Sequence, residues 1–313
     1  MDTDNRNSLR EGTLYSFISA TFKAISQVIL IENAVTGLLI LIAILLSSIP
    51  IGFIALLSAF ISVVIGRLAG GDKTIVNQGL LGYNSVLAGI ALALNLEGGM
   101  RWVIALAGAA VAALFTAAMM HVMRNAKMPV LTFPYIVLTW FLLLASYRLG
   151  AFQLNPGLVP QDLSHWKLHS EGTPNLLHGL VNGIGQVFFQ DYFWSGIIIL
   201  AGVIWAGWRL GLYAIIGSVI AWLTAYGLGA EVSPINLGLY GYNAVLTMLA
   251  VAAVFDAKSR FAPWTGIIAA ILSVPVTASL DTWLLPFGLP GLTMSFVLCT
   301  WLILAARKIL PNL

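Results

Sequence analysis

The sequence predicts an all-α integral membrane protein made of two inverted repeats, each with five transmembrane helices plus one re-entrant half-helix, and a pore between the halves. Three observations carry that reading. Hydrophobic residues make up 59% of the 313 positions and charged residues only 9%, whereas a soluble protein carries charge on about a quarter of its residues. The stretch 77–87 recurs at 236–246, identical at eight of eleven positions and offset by 159 residues. A duplication in so apolar a chain points to a symmetric pathway between its copies. Finally, segments 14–31 and 176–189 are polar and short where the repeat places them, at the start of each copy.

Taken in order, the apolar runs are 34–48, 51–66, 82–96, 102–122 and 130–145, then 195–208, 212–228, 239–255, 261–280 and 291–306. Several are short for a hydrocarbon core of about 30 Å, which needs roughly 20 helical residues, so their ends extend into polar flanks. Segment 14–31 carries Ser16, Thr21, Lys23 and Ser26; segment 176–189 carries His178, Asn182 and Gly179, Gly183 and Gly185. Lipid-facing backbone must be internally satisfied and apolar, so both belong inside the protein as half-helices that enter and leave on one side. Five spans per copy is an odd number, which places the second copy upside down relative to the first. The divisions are a cytoplasmic N-terminal tail 1–13, a first repeat 14–149, an extracytoplasmic linker 150–175 and a second repeat 176–313. With both termini cytoplasmic, eleven basic residues fall inside and three (Arg101, Arg148, Lys167) outside, Lys23 uncounted, as the positive-inside rule requires.

Other function classes are weighed against the same residues. The polar start and the Lys23 within the first apolar stretch do not make a cleavable secretory leader. The formal charge of +3 reads as membrane topology and not as nucleic-acid binding. Cys299 stands alone in an apolar run, which leaves a buried thiol and neither an intrachain disulfide nor a thiolate metal site. His165 and His169 sit four apart in the linker without a third ligand in register, so a solvated loop is expected there and no metal or cofactor.

Three landmarks recur in register: Gln27-Val28 and Gln186-Val187 on the half-helices, Gly-Tyr-Asn at 82–84 and 241–243, and Pro-x-x-Thr at 129–132 and 290–293. Each suits a pore wall. A glutamine amide donates and accepts without charge, and the free end of a half-helix offers unpaired backbone groups. Proline removes a donor, so Pro129 and Pro290 are expected to break a helix beside a threonine. The rings of Tyr83 and Tyr242, with Leu87 and Leu246 one turn on, make flat apolar walls. Such a slot suits a small planar solute rich in N–H donors. The plainer alternatives are interfacial anchoring for the tyrosines, close packing for the glycines, back-bonding for the threonines and bridging for the glutamines. Glu32 and Asp191 occupy matched positions past the half-helices, either as attractors at the two mouths or as helix-start residues. Away from their ends the ten runs hold no Asp, Glu, Lys or Arg, the groups that proton relays and ion-coupled sites need.

The motif Asn77-x-Gly-Leu-x-Gly-Tyr-Asn84 with its copy at 236–243, Met128-Pro-Val-Leu-Thr-Phe-Pro134, and Gly-Gln186-Val beside Trp194-Ser-Gly196 resemble the urea transporter family in its bacterial type, over roughly Gln27 to Leu302. The resemblance implies a homotrimer with one pore per subunit, in the plasma membrane or the bacterial inner membrane, with urea as the permeant. It implies an oxygen ladder at Gln27, Val28, Gln186 and Val187, a pore centre at Thr132 and Thr293, and end sites framed by Tyr83, Leu87, Phe189, Tyr242 and Leu246. Leu30 stands where the family often has a slot phenylalanine, opposite Phe189, and tyrosines replace the common phenylalanines of the Gly-x-Asn motif.

The expected activity is thus channel-like facilitated diffusion of urea, and not catalysis. The alternatives are a passive channel for related small amides, ammonia or water, and an ion-coupled secondary transporter. A membrane-embedded enzyme would need a nucleophile with its base or a metal cluster, and neither constellation is visible in the sequence.

Overall fold

The computed structural model describes residues 2–168, 171–255, 257, 259–311 and 313, with side chains from Leu14 onward except at His165. His169 and Lys258, used in the sequence argument, lie outside the described residues. Helix α1 (Asp2–Ser26) ends in a 3-10 turn, Gln27–Ile29, and the chain then bends by 75° into α2 (Ala34–Ser47). There follow α3 (Ile49–Leu68), the short α4 (Lys73–Asn77), α5 (Tyr83–Asn95), α6 (Arg101–Met123) and α7 (Phe133–Ala145). The same succession then returns. Helix α8 (Leu176–Gly185) ends in the 3-10 turn Gln186–Phe188 and bends by 74° into α9 (Phe193–Ala206). Then come α10 (Trp208–Gly227), α11 (Val232–Asn236), α12 (Gly241–Leu249) with a π-helical extension Ala250–Val254, α13 (Ala262–Leu284) and α14 (Met294–Ile309). A two-residue strand β1 (Leu96–Glu97) pairs antiparallel with β2 (Gln153–Leu154) and ties the linker to the first half.

Among the described residues, four helices (α3, α6, α10 and α13) are long and apolar enough to cross a membrane, or six spans if each bent pair counts as one. Helices α5 and α7 have 13 residues each, about 20 Å at 1.5 Å per residue. The shortness of α5 has a physical reason. Every residue from Tyr83 to Ala93 in α5 is buried, so this helix meets protein on all sides and has no lipid thickness to match. Helices α2, α3, α6 and α9 instead present exposed Leu38, Phe53, Leu114 and Ile204, the apolar exterior expected of a multi-pass membrane protein.

The bends are built from local chemistry. Leu30 and Phe189, 159 positions apart, both adopt left-handed backbone, with φ of 63° and 59°, which ends each 3-10 turn. Asn33 then starts α2 by accepting hydrogen bonds from the N–H groups of Val35 and Thr36 at 2.9 and 3.1 Å, an N-cap arrangement. The loops before α5 and α12 press against α1 and α8. Gly79 (φ 75°) and Gly238 (φ 73°) are left-handed, and a Cβ at either would collide with the backbone of Ala24 or Gly183. Close packing, the plainer of the two readings of these glycines, is therefore the role that the geometry gives them.

The halves join by reciprocal bonds. Thr36 Oγ1 donates to the Gly202 carbonyl at 2.8 Å, and Ser195 Oγ donates to the Ala43 carbonyl at 2.7 Å. Positions 36 and 195, and 43 and 202, are each 159 apart, so donor and acceptor exchange places between α2 and α9. Reciprocity of this kind marks a self-complementary interface.

Candidate functional site

Pro129 and Pro290 do not break a helix: they precede α7 and α14, which begin at Phe133 and Met294. The sequence expectation differs because the residue two places on, Leu131 or Leu292, takes a left-handed conformation (φ 52° and 50°) that already excludes helix. Such a backbone costs a non-glycine residue about 1–2 kcal/mol, and side chains hold it in place. Asn84 Nδ2 donates to the Leu131 carbonyl at 3.2 Å, while Asn243 Nδ2 and the Tyr242 hydroxyl donate to the Leu292 carbonyl at 3.3 and 2.7 Å. The prolyl carbonyls are also used, across the halves. Trp140 Nε1 donates to Pro290 O and Trp301 Nε1 to Pro129 O, both at 2.8 Å.

This scaffolding brings the two threonines together. Thr132 Oγ1 and Thr293 Oγ1 are 2.7 Å apart, and neither back-bonds to its own helix. The Tyr135 hydroxyl lies 3.0 Å from Thr293 Oγ1 and accepts from the Thr293 N–H at 3.3 Å. Its counterpart at the 161-residue offset is Phe296, so the centre holds three hydroxyls and is not symmetric. All three residues are buried.

A cavity opens on each side. The first, about 540 Å³, is lined by Gln27, Leu30, Tyr83, Pro129 and Leu131. The second, about 560 Å³, is lined by their repeat counterparts Gln186, Phe189, Tyr242, Pro290 and Leu292. Leu131, next to Thr132 in the chain, belongs to the first wall, whereas Tyr135 and Thr293 belong to the second. The hydroxyl pair therefore stands where the two walls meet.

The remaining predicted residues fall as follows. Val187 lines the second cavity, while Val28 is buried and lines neither; among the described residues no hydrogen bond ends on either carbonyl. Leu87 and Leu246 are fully buried in the core and line neither cavity. The two glutamines differ. Gln27 Nε2 donates to the Gln78 carbonyl at 3.0 Å, a bridging bond that leaves its oxygen, and Gln186 has no side-chain partner among the described residues. Glu32 and Asp191 line opposite cavities, and Glu32 pairs with Lys23 at 2.7 Å. Neither starts a helix, because Asn33 and Tyr192 hold those positions.

Sequence reasoning missed Tyr135, the two indoles, Gln190 and Asp281. The first carried a readable signal, since Tyr135 against Phe296 is a polar departure within an otherwise matched repeat. The apolar run 261–280 stops one residue short of Asp281, but α13 continues to Leu284 and brings this carboxylate into the second cavity. Among the described residues no three His, Cys, Asp or Glu side chains converge as metal ligands would. What the arrangement offers chemically is a line of neutral donors and acceptors between two partly apolar chambers.

Comparison with known proteins places these features in a family. The family model described as "Urea transporter" matches residues 18–308. The chain is 26% identical over 302 residues to the proteins named urea transporter 1 of Ovis aries and of Mus musculus, an overlap of 95% of this chain and 79% of each relative.

Proposed function

The chain belongs to the urea transporter family, and from that premise we propose that it conducts urea passively, down its gradient, through the path that joins the two cavities. The observation that carries this reading is the Thr132–Thr293 hydroxyl pair set between two chambers whose walls are repeat-related. A urea molecule has N–H donors and a carbonyl acceptor in one plane. As it reaches the centre, the hydroxyl–hydroxyl bond is exchanged for bonds to the solute, so little hydrogen bonding is lost in the step. Gln27, Gln186 and the carbonyls of Val28 and Val187 supply acceptors on the way in and out. Leu30, Phe189, Tyr83 and Tyr242 flatten the approach, and Leu87 and Leu246 back the walls. The uncharged centre excludes hydrated ions, which lose more hydration than its hydroxyls restore.

The wider layout is part of the same proposal. The repeats, 14–149 and 176–313, run in opposite senses across the bilayer, with a tail at 1–13 and an extracytoplasmic linker at 150–175. Each repeat has one re-entrant half-helix and five spans, and both termini face the cytoplasm. Three copies assemble, each with its own pore, in the plasma membrane or the inner membrane of a bacterium. The reciprocal bonds between α2 and α9 and the bends after α1 and α8 support this layout.

Stopped-flow light scattering on proteoliposomes, comparing urea with acetamide, ammonia and water, tests the function. The expected result is urea flux that is proportional to the gradient and indifferent to a protonophore. Flux that collapses with the proton gradient establishes an ion-coupled transporter instead.

A further inference from the structure

Resting on the reading of the chain as a urea channel, we propose that the second cavity also binds a small planar cation of the guanidinium class, which enters from that side and blocks the path without crossing it. The two cavities are built from matched walls, yet their charges differ. Asp191 and Asp281 line the second cavity, and no Lys or Arg does. Neither carboxylate has an ion-pair partner among the described residues, and both are exposed. The first cavity has Arg124 and Lys127 on its wall, and its one acid, Glu32, is held by Lys23 at 2.7 Å.

Asp281 stands where the repeat places Met120. Its Oδ1 packs against Gly291 so closely that a Cβ there would collide with it. The carboxylate thus lies beside the Pro290–Thr293 segment that carries the central hydroxyl. A second, independent observation comes from Gln190, which lines the same cavity and is 3% exposed. Its Nε2 donates to the Phe188 carbonyl at 2.8 Å, while its Oε1 has no partner among the described residues. An acceptor left unmatched in the interior is unfavourable, so this wall favours a ligand that brings donors.

Guanidinium has the plane and size of urea, N–H donors on every edge and no acceptor. It is also less strongly hydrated than an ammonium. Carboxylates and amide oxygens on one wall match it through charge-assisted bonds, whereas the carbonyl of urea gains nothing from them. Beyond the cavity the path offers only neutral hydroxyls. A cation moving on leaves both carboxylates behind and meets the cost of an unpaired charge in a low-dielectric interior. It stops at the centre. Approach from the other side is opposed by Arg124 and Lys127.

The test uses urea flux in proteoliposomes with millimolar guanidinium chloride outside, inside or on both sides, against tetramethylammonium chloride at equal ionic strength. In randomly oriented vesicles, external guanidinium is expected to block part of the flux and guanidinium on both sides the rest, with tetramethylammonium inert. In Asp281→Asn and Asp191→Asn, each compared with its own uninhibited flux, the half-inhibiting concentration rises about tenfold, the loss of one charge-assisted bond. Calorimetric titration of guanidinium into the detergent-purified protein, without urea, reads binding directly. Unchanged half-inhibiting concentrations in both variants, or uptake of labelled guanidinium, overturn the proposal. Asp281-dependent binding in a protein without urea flux sinks the channel reading and keeps the site; urea flux without guanidinium binding does the reverse.

Discussion

Thr132 and Thr293, 161 positions apart in the chain, face each other with their hydroxyl oxygens at 2.7 Å. No local rule of sequence produces that meeting. It follows from two left-handed leucines, two asparagines that tie down the leucine carbonyls, and two indoles that bind the proline carbonyls of the opposite half. The proposed activity depends on the pair because both groups donate and accept and neither carries charge.

Replacing Thr293 by valine keeps the shape and removes the hydroxyl. The Tyr135 hydroxyl and Thr132 then each lose a partner, at about 1–3 kcal/mol for an unmatched buried group. Urea permeability is expected to fall about tenfold or more, while the protein elutes from gel filtration as before. A Thr293→Val protein with wild-type permeability removes the centre from the mechanism.

The glutamines separate by their bonds. Gln186→Leu is expected to lower urea flux with little change in thermal midpoint, since no side-chain bond is described for Gln186. Gln27→Leu lowers flux and also stability, by about 1 kcal/mol, because the bond to Gln78 O is lost. Paired stopped-flow and melting measurements on both variants check the split.

Trp140 and Trp301 make equivalent bonds of 2.8 Å to Pro290 and Pro129. Trp140→Phe and Trp301→Phe are each expected to destabilise the protein by about 1 kcal/mol, and by similar amounts. Circular dichroism melts in detergent read this, and a marked inequality shows that the two seams bear unequal load.

Two glycines with similar backbone angles provide a control pair. Gly70 (φ 68°) has open space at its Cβ position, whereas a Cβ on Gly79 (φ 75°) runs into the Ala24 backbone. Gly70→Ala costs about 1–2 kcal/mol for the left-handed conformation. Gly79→Ala adds roughly 1–3 kcal/mol of overpacking and is expected to yield little folded protein in expression and gel filtration. Equal behaviour of the two variants refutes the close approach of this loop to α1.

Much of the site was legible because the duplication made it so. Gln27 with Gln186 and Tyr83 with Tyr242 were marked by recurrence, Leu30 with Phe189 by the family resemblance, and each pair supplies one residue to either cavity. Leu87 and Leu246 recur just as faithfully yet lie in the core, since a repeat preserves packing positions and lining positions alike. Asp281 escaped notice because a helix end is poorly fixed by hydropathy, and Tyr135 because an aromatic at a buried helix start reads first as packing.

Composition and the internal repeat by themselves determined the solvent, the helical class and the pairing of halves, since bilayer burial and duplication both write directly into residue types; the family came from the motifs at 77–84, 128–134 and 185–196. Tertiary structure alone decided that the prolines precede helices, that the threonines meet, that one glutamine is tied and the other has no side-chain partner among the described residues, and that the two chambers carry opposite charge. Those outcomes depend on left-handed backbone and on hydrogen bonds between residues 47 to 172 positions apart. A linear pattern holds no record of either.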